Sequence, residues 1–211
     1  RRIDRLALPV KSAPGFLVNR VLMPYLMEAV LLAEEGVPVE HIDRAATGFG
    51  MPMGPLRLAD TVGLDVCLAV AGVLAPHTGM SIPERLRQWV AEGRLGQKTG
   101  KGFYRYANGR PSALKTGKPH KMARREIADR LLFTMLRECL DCLRDGIVEG
   151  PDMLDAGMIF GAGFPPFHGG PVQYLRQEEA LQQRLEALTR IRGERFAPEH
   201  WNKELADIAT G

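Results

Sequence analysis

Apolar residues recur at helical spacing along most of this chain, and glycine and proline punctuate the runs. Residues 16–35 are apolar-rich, follow Ser12-Ala13-Pro14-Gly15 and end at Gly36. A start marked by Ser or Pro and a stop marked by Gly predict a helix there. Pro24 lies inside that run and predicts a kink, because proline removes a backbone donor and crowds the preceding turn. Further helices are predicted over 39–46, 55–62 and 64–74, the last two split at Gly63. Ser81-Ile82-Pro83-Glu84 has capping-box spacing and predicts a helix reaching Glu92. Beyond it come a long helix over 122–145 and shorter ones over 151–157, 170–177, 178–192 and 198–208. Phe103-Tyr104-Arg105-Tyr106 reads as extended, and Gly96 to Gly102 reads as a flexible glycine-rich loop. No alternating apolar run of useful length is present, so the expected class is all-α.

The chain also repeats itself. Residues 20–36 align with 130–146 at an offset of 110, with Arg20/Arg130, Leu22/Leu132, Leu26/Leu136, Glu28/Glu138 and Gly36/Gly146 identical. A short helix with an aspartate follows in each half (Asp43, Asp155), and then a Gly/Pro turn, GFGMPMGP in the first and GAGFPPFHGGP in the second. Recurrence in this order predicts two related helical units, 1–106 and 122–211. Residues 107–121 hold four basic residues and no acidic one, with two prolines and two glycines, and read as a linker. The two units should pack through their long helices, 16–35 against 122–145.

Composition narrows the classes of function. With 211 residues and 45% hydrophobic content, the chain is long enough to bury a core without staples. Its net charge of +3 is too small for a protein that lives on phosphate backbones, so nucleic acid is a poor partner. No run of about 18 apolar residues is present, which excludes a transmembrane helix. The first fifteen residues do not read as a secretory signal. Cys67, Cys139 and Cys142 do not form a disulfide framework, and a reducing, cytoplasmic setting is expected. Cys139 and Cys142 match C-x-x-C but fall inside a predicted helix, which favours small buried hydrophobes over a redox pair. The five histidines are scattered without ligand spacing, and His168 reads as a loop histidine. Lys98 and Lys101 flank mobile glycines and are either phosphate contacts or solvated surface lysines.

Asn19 is the most informative residue. On a helix it shares a face with Leu22, Met23 and Leu26. A buried amide needs a partner, and either a neighbouring loop or a ligand would serve.

SAPGFLVNRVLMPYLMEA, GMPMGPLRLADTVGLD and GQKTGKGFYRY, in this order, resemble the C-terminal helical domain of L-3-hydroxyacyl-CoA dehydrogenases. FGAGFPPFHGGPVQYL in the second unit resembles the extra repeat of multifunctional fatty-acid β-oxidation α-subunits. The resemblance implies tandem domains of the 6-phosphogluconate-dehydrogenase C-terminal type and oxidation of a 3-hydroxyacyl-CoA to the 3-oxoacyl-CoA with NAD. It implies a catalytic and substrate-binding role for Asn19, and substrate binding by Tyr174, for which the bland alternative is a tyrosine packing on the repeat interface. It implies that the second unit stands in for the partner subunit of single-repeat relatives. No G-x-G-x-x-G follows a strand anywhere, and no hydratase-like stretch is present. NAD and the catalytic His–Glu pair are therefore expected on a Rossmann domain absent from this chain, with a hydratase domain and a thiolase subunit as further possible partners. The rival expectation is a non-catalytic helical module for dimerisation or assembly.

Overall fold

The computed structural model describes residues 8–112, 120–193, 196–197 and 201. Among these the chain is helical apart from one small hairpin. The elements are α1 (Val18–Glu34), α2 (Val39–Phe49), α3 (Pro55–Val62), α4 (Leu64–Thr78), α5 (Glu84–Ala91), β1 (Arg105–Ala107), β2 (Arg110–Ser112), α6 (Arg124–Arg144), α7 (Pro151–Ala162), α8 (Pro171–Gln177) and α9 (Leu181–Arg192). The all-α expectation holds. The helix expected over 198–208 lies outside the described residues.

Pro24 sits buried inside α1, which continues past it. Two local expectations change. The Ser81 capping box does not form: Pro83 is the N-cap residue of α5, with no side-chain cap. Glu34, at the end of α1, reaches across instead and accepts from the Arg85 N–H at 2.6 Å. The second change concerns the expected linker. Its first residues fold back as β2, paired antiparallel to β1. Asn108 and Gly109 join the strands with φ of 51° and 73°, the geometry that Asn-Gly favours in tight hairpins. Residues 113–119 lie outside the described residues.

The two units pack through α1 and α6, as the repeat predicted. Arg20 Nε donates to Glu138 Oε1 at 2.6 Å, and Arg130 Nε donates to Glu28 Oε1 at 2.6 Å. Arg20 Nη2 also reaches Asp145 at 2.7 Å, while Arg130 Nη1 and Nη2 hold both oxygens of Glu35 at 2.5 and 2.8 Å. Every residue in one set lies 110 positions from its equivalent in the other. The interface is thus isologous within one chain, with the same patch used from both sides, as in a two-fold dimer. Arg20, Arg130, Glu28 and Glu138 are all buried. A buried ion needs this pairing, since its desolvation is otherwise uncompensated.

Each unit then turns on a buried aspartate. Asp43 accepts from the N–H groups of Leu56 and Arg57 at the start of α3, at 2.9 and 3.1 Å. Asp155 does the same for Val172 and Gln173 at the start of α8, at 2.7 and 3.2 Å. Both carboxylates press against a glycine. A Cβ on Gly54 would lie 2.1 Å from Asp43 Cγ, and one on Gly170 2.4 Å from Asp155 Cγ. The recurring Gly-Pro thus has a steric cause: glycine admits the carboxylate, and proline starts the helix without needing a donor.

Candidate functional site

The head of α1 is built by a tight turn. Gly15 and Phe16 have φ of 75° and 49°, and the Phe16 N–H donates to the Ala13 carbonyl at 3.0 Å. A Cβ on Gly15 would lie 2.9 Å from the Arg20 nitrogen and 3.0 Å from Leu74 Cδ2, so glycine is required on both conformational and steric grounds. The turn delivers two neighbours with opposite fates. Arg20 points inward to the clasp with Glu138. Asn19 is exposed, and its amide bonds to no other described residue. Asn19 therefore does not share the burial of Met23 and Leu26. Burial along α1 begins one residue later, at Arg20, and among the described residues no loop bonds the Asn19 amide.

α7 of the second unit closes on this region. A Cβ on Gly157 would lie 2.6 Å from Leu17 Cδ2, and one on Gly161 2.6 Å from Val18 Cγ2. Two missing side chains, four residues apart on one helix face, let α7 seat against the residues just before Asn19.

Tyr174 is 9% exposed. Its hydroxyl donates to Glu178 at 3.0 Å and accepts from Arg184 at 2.8 Å. Its ring meets Phe49 edge-on at 5.4 Å and His168 at 5.1 Å. His168 in turn stacks on Phe49 at 4.6 Å. Tyr174 and His168 thus belong to an aromatic seam joining the second Gly/Pro turn to the end of α2. The structure does not bring Tyr174 beside Asn19 through any shared partner.

The repeat holds a counterpart of Asn19 that was legible but not read. Adding 110 to Asn19 gives Asp129. Asp129 is buried and gripped by the Arg184 guanidinium through both oxygens. Where the first unit exposes an amide with no partner among the described residues, the second has an aspartate paired by an arginine from α9.

The glycine-rich segment Gly96–Gly102 is a hook folded over Asp60. Asp60 accepts from the N–H groups of Phe103 and Tyr104 at 2.9 and 2.8 Å and from the Tyr106 hydroxyl at 3.1 Å. Cβ atoms on Gly96 and Gly102 would lie 2.3 and 2.0 Å from Asp60 atoms. The glycines serve this close approach, and Lys98 is paired with Asp65 at 2.6 Å.

Burial sets the protonation of the buried groups. It raises the Asp43 carboxyl to about 6 against the opposing Tyr104 and backbone hydrogen bonds. It raises Glu138 to about 7, against the opposing effect of Arg20. It pushes the Cys142 thiol up to about 12, which suits a small core side chain rather than a redox pair. His41 and His120 share a 2.6 Å hydrogen bond that their spacing did not announce. Among the described residues no cluster of three or more His, Cys, Asp or Glu side chains is placed to hold a metal.

The helix starts after the two Gly/Pro turns do not offer a nicotinamide dinucleotide a pyrophosphate cradle. A pyrophosphate is held by free N–H groups at a helix start. Those of α3 and α8, after the two Gly/Pro turns, are already taken by the carboxylates of Asp43 and Asp155.

The 3-hydroxyacyl-CoA dehydrogenase C-terminal domain family matches residues 15–106, from the turn before α1 to the strand after the Asp60 hook. The matched stretch contains Asn19 and ends before α6. Over 98% of its length the chain is 40% identical to the fatty acid oxidation complex subunit alpha of Idiomarina loihiensis, of which it spans 31%. The corresponding subunit of Vibrio vulnificus is 39% identical over 94% of the chain, which spans 30% of it. The chain therefore spans about a third of the length of these curated relatives. A 3-hydroxybutyryl-CoA dehydrogenase from Escherichia coli K12 has the same fold, with a TM-score of 0.74 at 22% identity over 96% of this chain and 62% of its own. The dehydrogenase part of multifunctional enzyme 1 from C. elegans aligns with 72% of this chain and 37% of its own, with a TM-score of 0.57 at 25% identity.

Proposed function

We propose that the chain is the substrate-binding helical part of an NAD-dependent L-3-hydroxyacyl-CoA dehydrogenase of fatty-acid β-oxidation. The observation that carries this reading is Asn19, an exposed amide with no partner among the described residues, at the head of α1 and inside the matched stretch. In the oxidation, C3 gives up a hydride and the hydroxyl proton passes to a base. NAD, held by a Rossmann domain that would also carry the base, would supply the hydride acceptor. The Asn19 amide N–H donates to the C3 oxygen, where charge develops as the proton leaves, and a fixed donor so placed favours the transition state. Tyr174 enters the reading as a second substrate-binding residue. Contact with substrate requires its hydroxyl to leave Arg184 and Glu178; as placed, it braces the seam behind α7. A hydratase domain and a thiolase subunit are further partners in this reading, which draws on the names of the relatives. The rival reading, a module for assembly, has less support, because the self-complementary α1 face is already satisfied by α6 of the same chain. The test is reconstitution. The chain alone should not reduce NAD with any 3-hydroxyacyl-CoA, and adding a Rossmann NAD-binding domain of this family should produce NADH. NADH formation by the chain alone, or none in the mixture, would reject the reading.

A further inference from the structure

Large apolar side chains face outward around the point where α1 enters the fold. α1 starts between α4 and α7, with Gly15 against Leu74 on one side and Val18 against Gly161 on the other. Next to Leu74, Val73 is 60% exposed; next to Gly161, Phe160 is 73% exposed; and Phe16, three residues before Asn19, is 55% exposed. Phe16 also holds a left-handed backbone, a conformation that bulky residues avoid and that persists where a site requires it. Singly exposed apolar residues are ordinary, but three of them on the elements that meet beside an amide with no partner among the described residues have the composition of a ligand site.

The decisive member comes from the second unit. On α7, Leu154 and Met158 face the core, and Gly157 and Gly161 face the head of α1. At about 100° per residue, Phe160 lies roughly 60° from Gly157, on the side away from Leu154 and Met158. It therefore stands beside the α1–α7 seam with its ring exposed.

The geometry points to a composite site: Asn19 of the first unit meets the oxygen at C3, and Phe160 of the second unit lies along the acyl tail. This rests on the function proposed above. In a 3-hydroxyacyl-CoA, C3 joins the thioester end to the alkyl tail, so a group that touches the C3 oxygen has the first methylenes alongside it. An aromatic ring beside that amide contributes apolar area to a long tail and little to a short one. Phe160 is thus a binding residue that sets chain-length preference and takes no part in moving the proton or the hydride.

The test titrates 3-hydroxybutyryl-CoA and 3-hydroxydecanoyl-CoA, both of which carry the C3 oxygen, into the protein, Phe160→Ala and Asn19→Ala. Phe160→Ala should weaken binding of the ten-carbon ligand about five- to twentyfold, through lost apolar burial. Its affinity for the four-carbon ligand and its thermal midpoint should be unchanged, since the ring is exposed. If Phe160→Ala weakens neither ligand, or both alike, its role is overturned; Asn19→Ala weakening both would still support the wider reading. If neither ligand binds the unaltered protein, both proposals fall.

Discussion

Arg20 and Glu138 meet at 2.6 Å across the two units, and Arg130 and Glu28 repeat the meeting in reverse at the same distance. One sequence offset generates both pairs. Four buried charges at the centre of the interface make that interface sensitive to any change that leaves one unpaired.

Arg130 is the most enclosed of the four, with a fully buried side chain. Arg130→Ala leaves Glu28 without this partner and should lower stability by about 3–5 kcal/mol. Arg130→Lys should recover only part, because one ammonium cannot bridge Glu28 and both oxygens of Glu35 in the same geometry. Denaturant midpoints of the two variants check the order.

Glu138 carries a pH signature. Burial raises its carboxyl in the folded state to about 7, from an ordinary value of 4.5. Between these values the folded protein holds a proton that the unfolded chain releases. The contribution is fully present below the ordinary value and is lost as pH rises through about 7. In Glu138→Gln this titration is gone. The stability of the unaltered protein relative to that variant should fall by on the order of 1–3 kcal/mol between pH 4.5 and 7.5. A difference independent of pH would contradict it.

Two glycines without left-handed backbones separate steric need from chance. Gly54→Ala places a methyl against the Asp43 carboxylate and should cost about 2 kcal/mol or more, since the cap at the start of α3 must shift. Gly72 lies in α4 with nothing within 4 Å of an added Cβ. Gly72→Ala should stabilise by about 0.5–1 kcal/mol through helix propensity. Thermal unfolding of both variants checks the opposite signs.

Asn19 predicts a split between rate and stability. It is exposed and bonds to no other described residue, so Asn19→Ala should change folding stability by less than about 0.5 kcal/mol. In the reconstituted dehydrogenase, loss of a donor to the C3 oxygen should lower kcat roughly 10²–10³-fold, with a smaller effect on KM. A normal kcat would remove Asn19 from the chemistry.

The helices, their glycine stops and the internal repeat were legible in the chain, because local spacing and backbone preference determine them. Repeat arithmetic already paired Arg20 with Arg130 and Glu28 with Glu138, and the recurring order of features set Asp43 against Asp155. It did not reveal that the first two pairs exchange partners across the interface, since periodicity places a residue on a helix face and is silent about which face it meets. The Gly96–Gly102 segment shows the same limit. Its glycines permit close approach, and only the fold shows that Asp60 is what approaches. Asn19 lies on a stripe that reads as apolar, yet its exposure depends on where α6 begins to cover α1. The candidate site was legible as a residue and a family motif. The exposure of the amide, the seating of α7 against the head of α1 and the arginine that fills the second unit's counterpart are consequences of long-range packing, which no local pattern encodes.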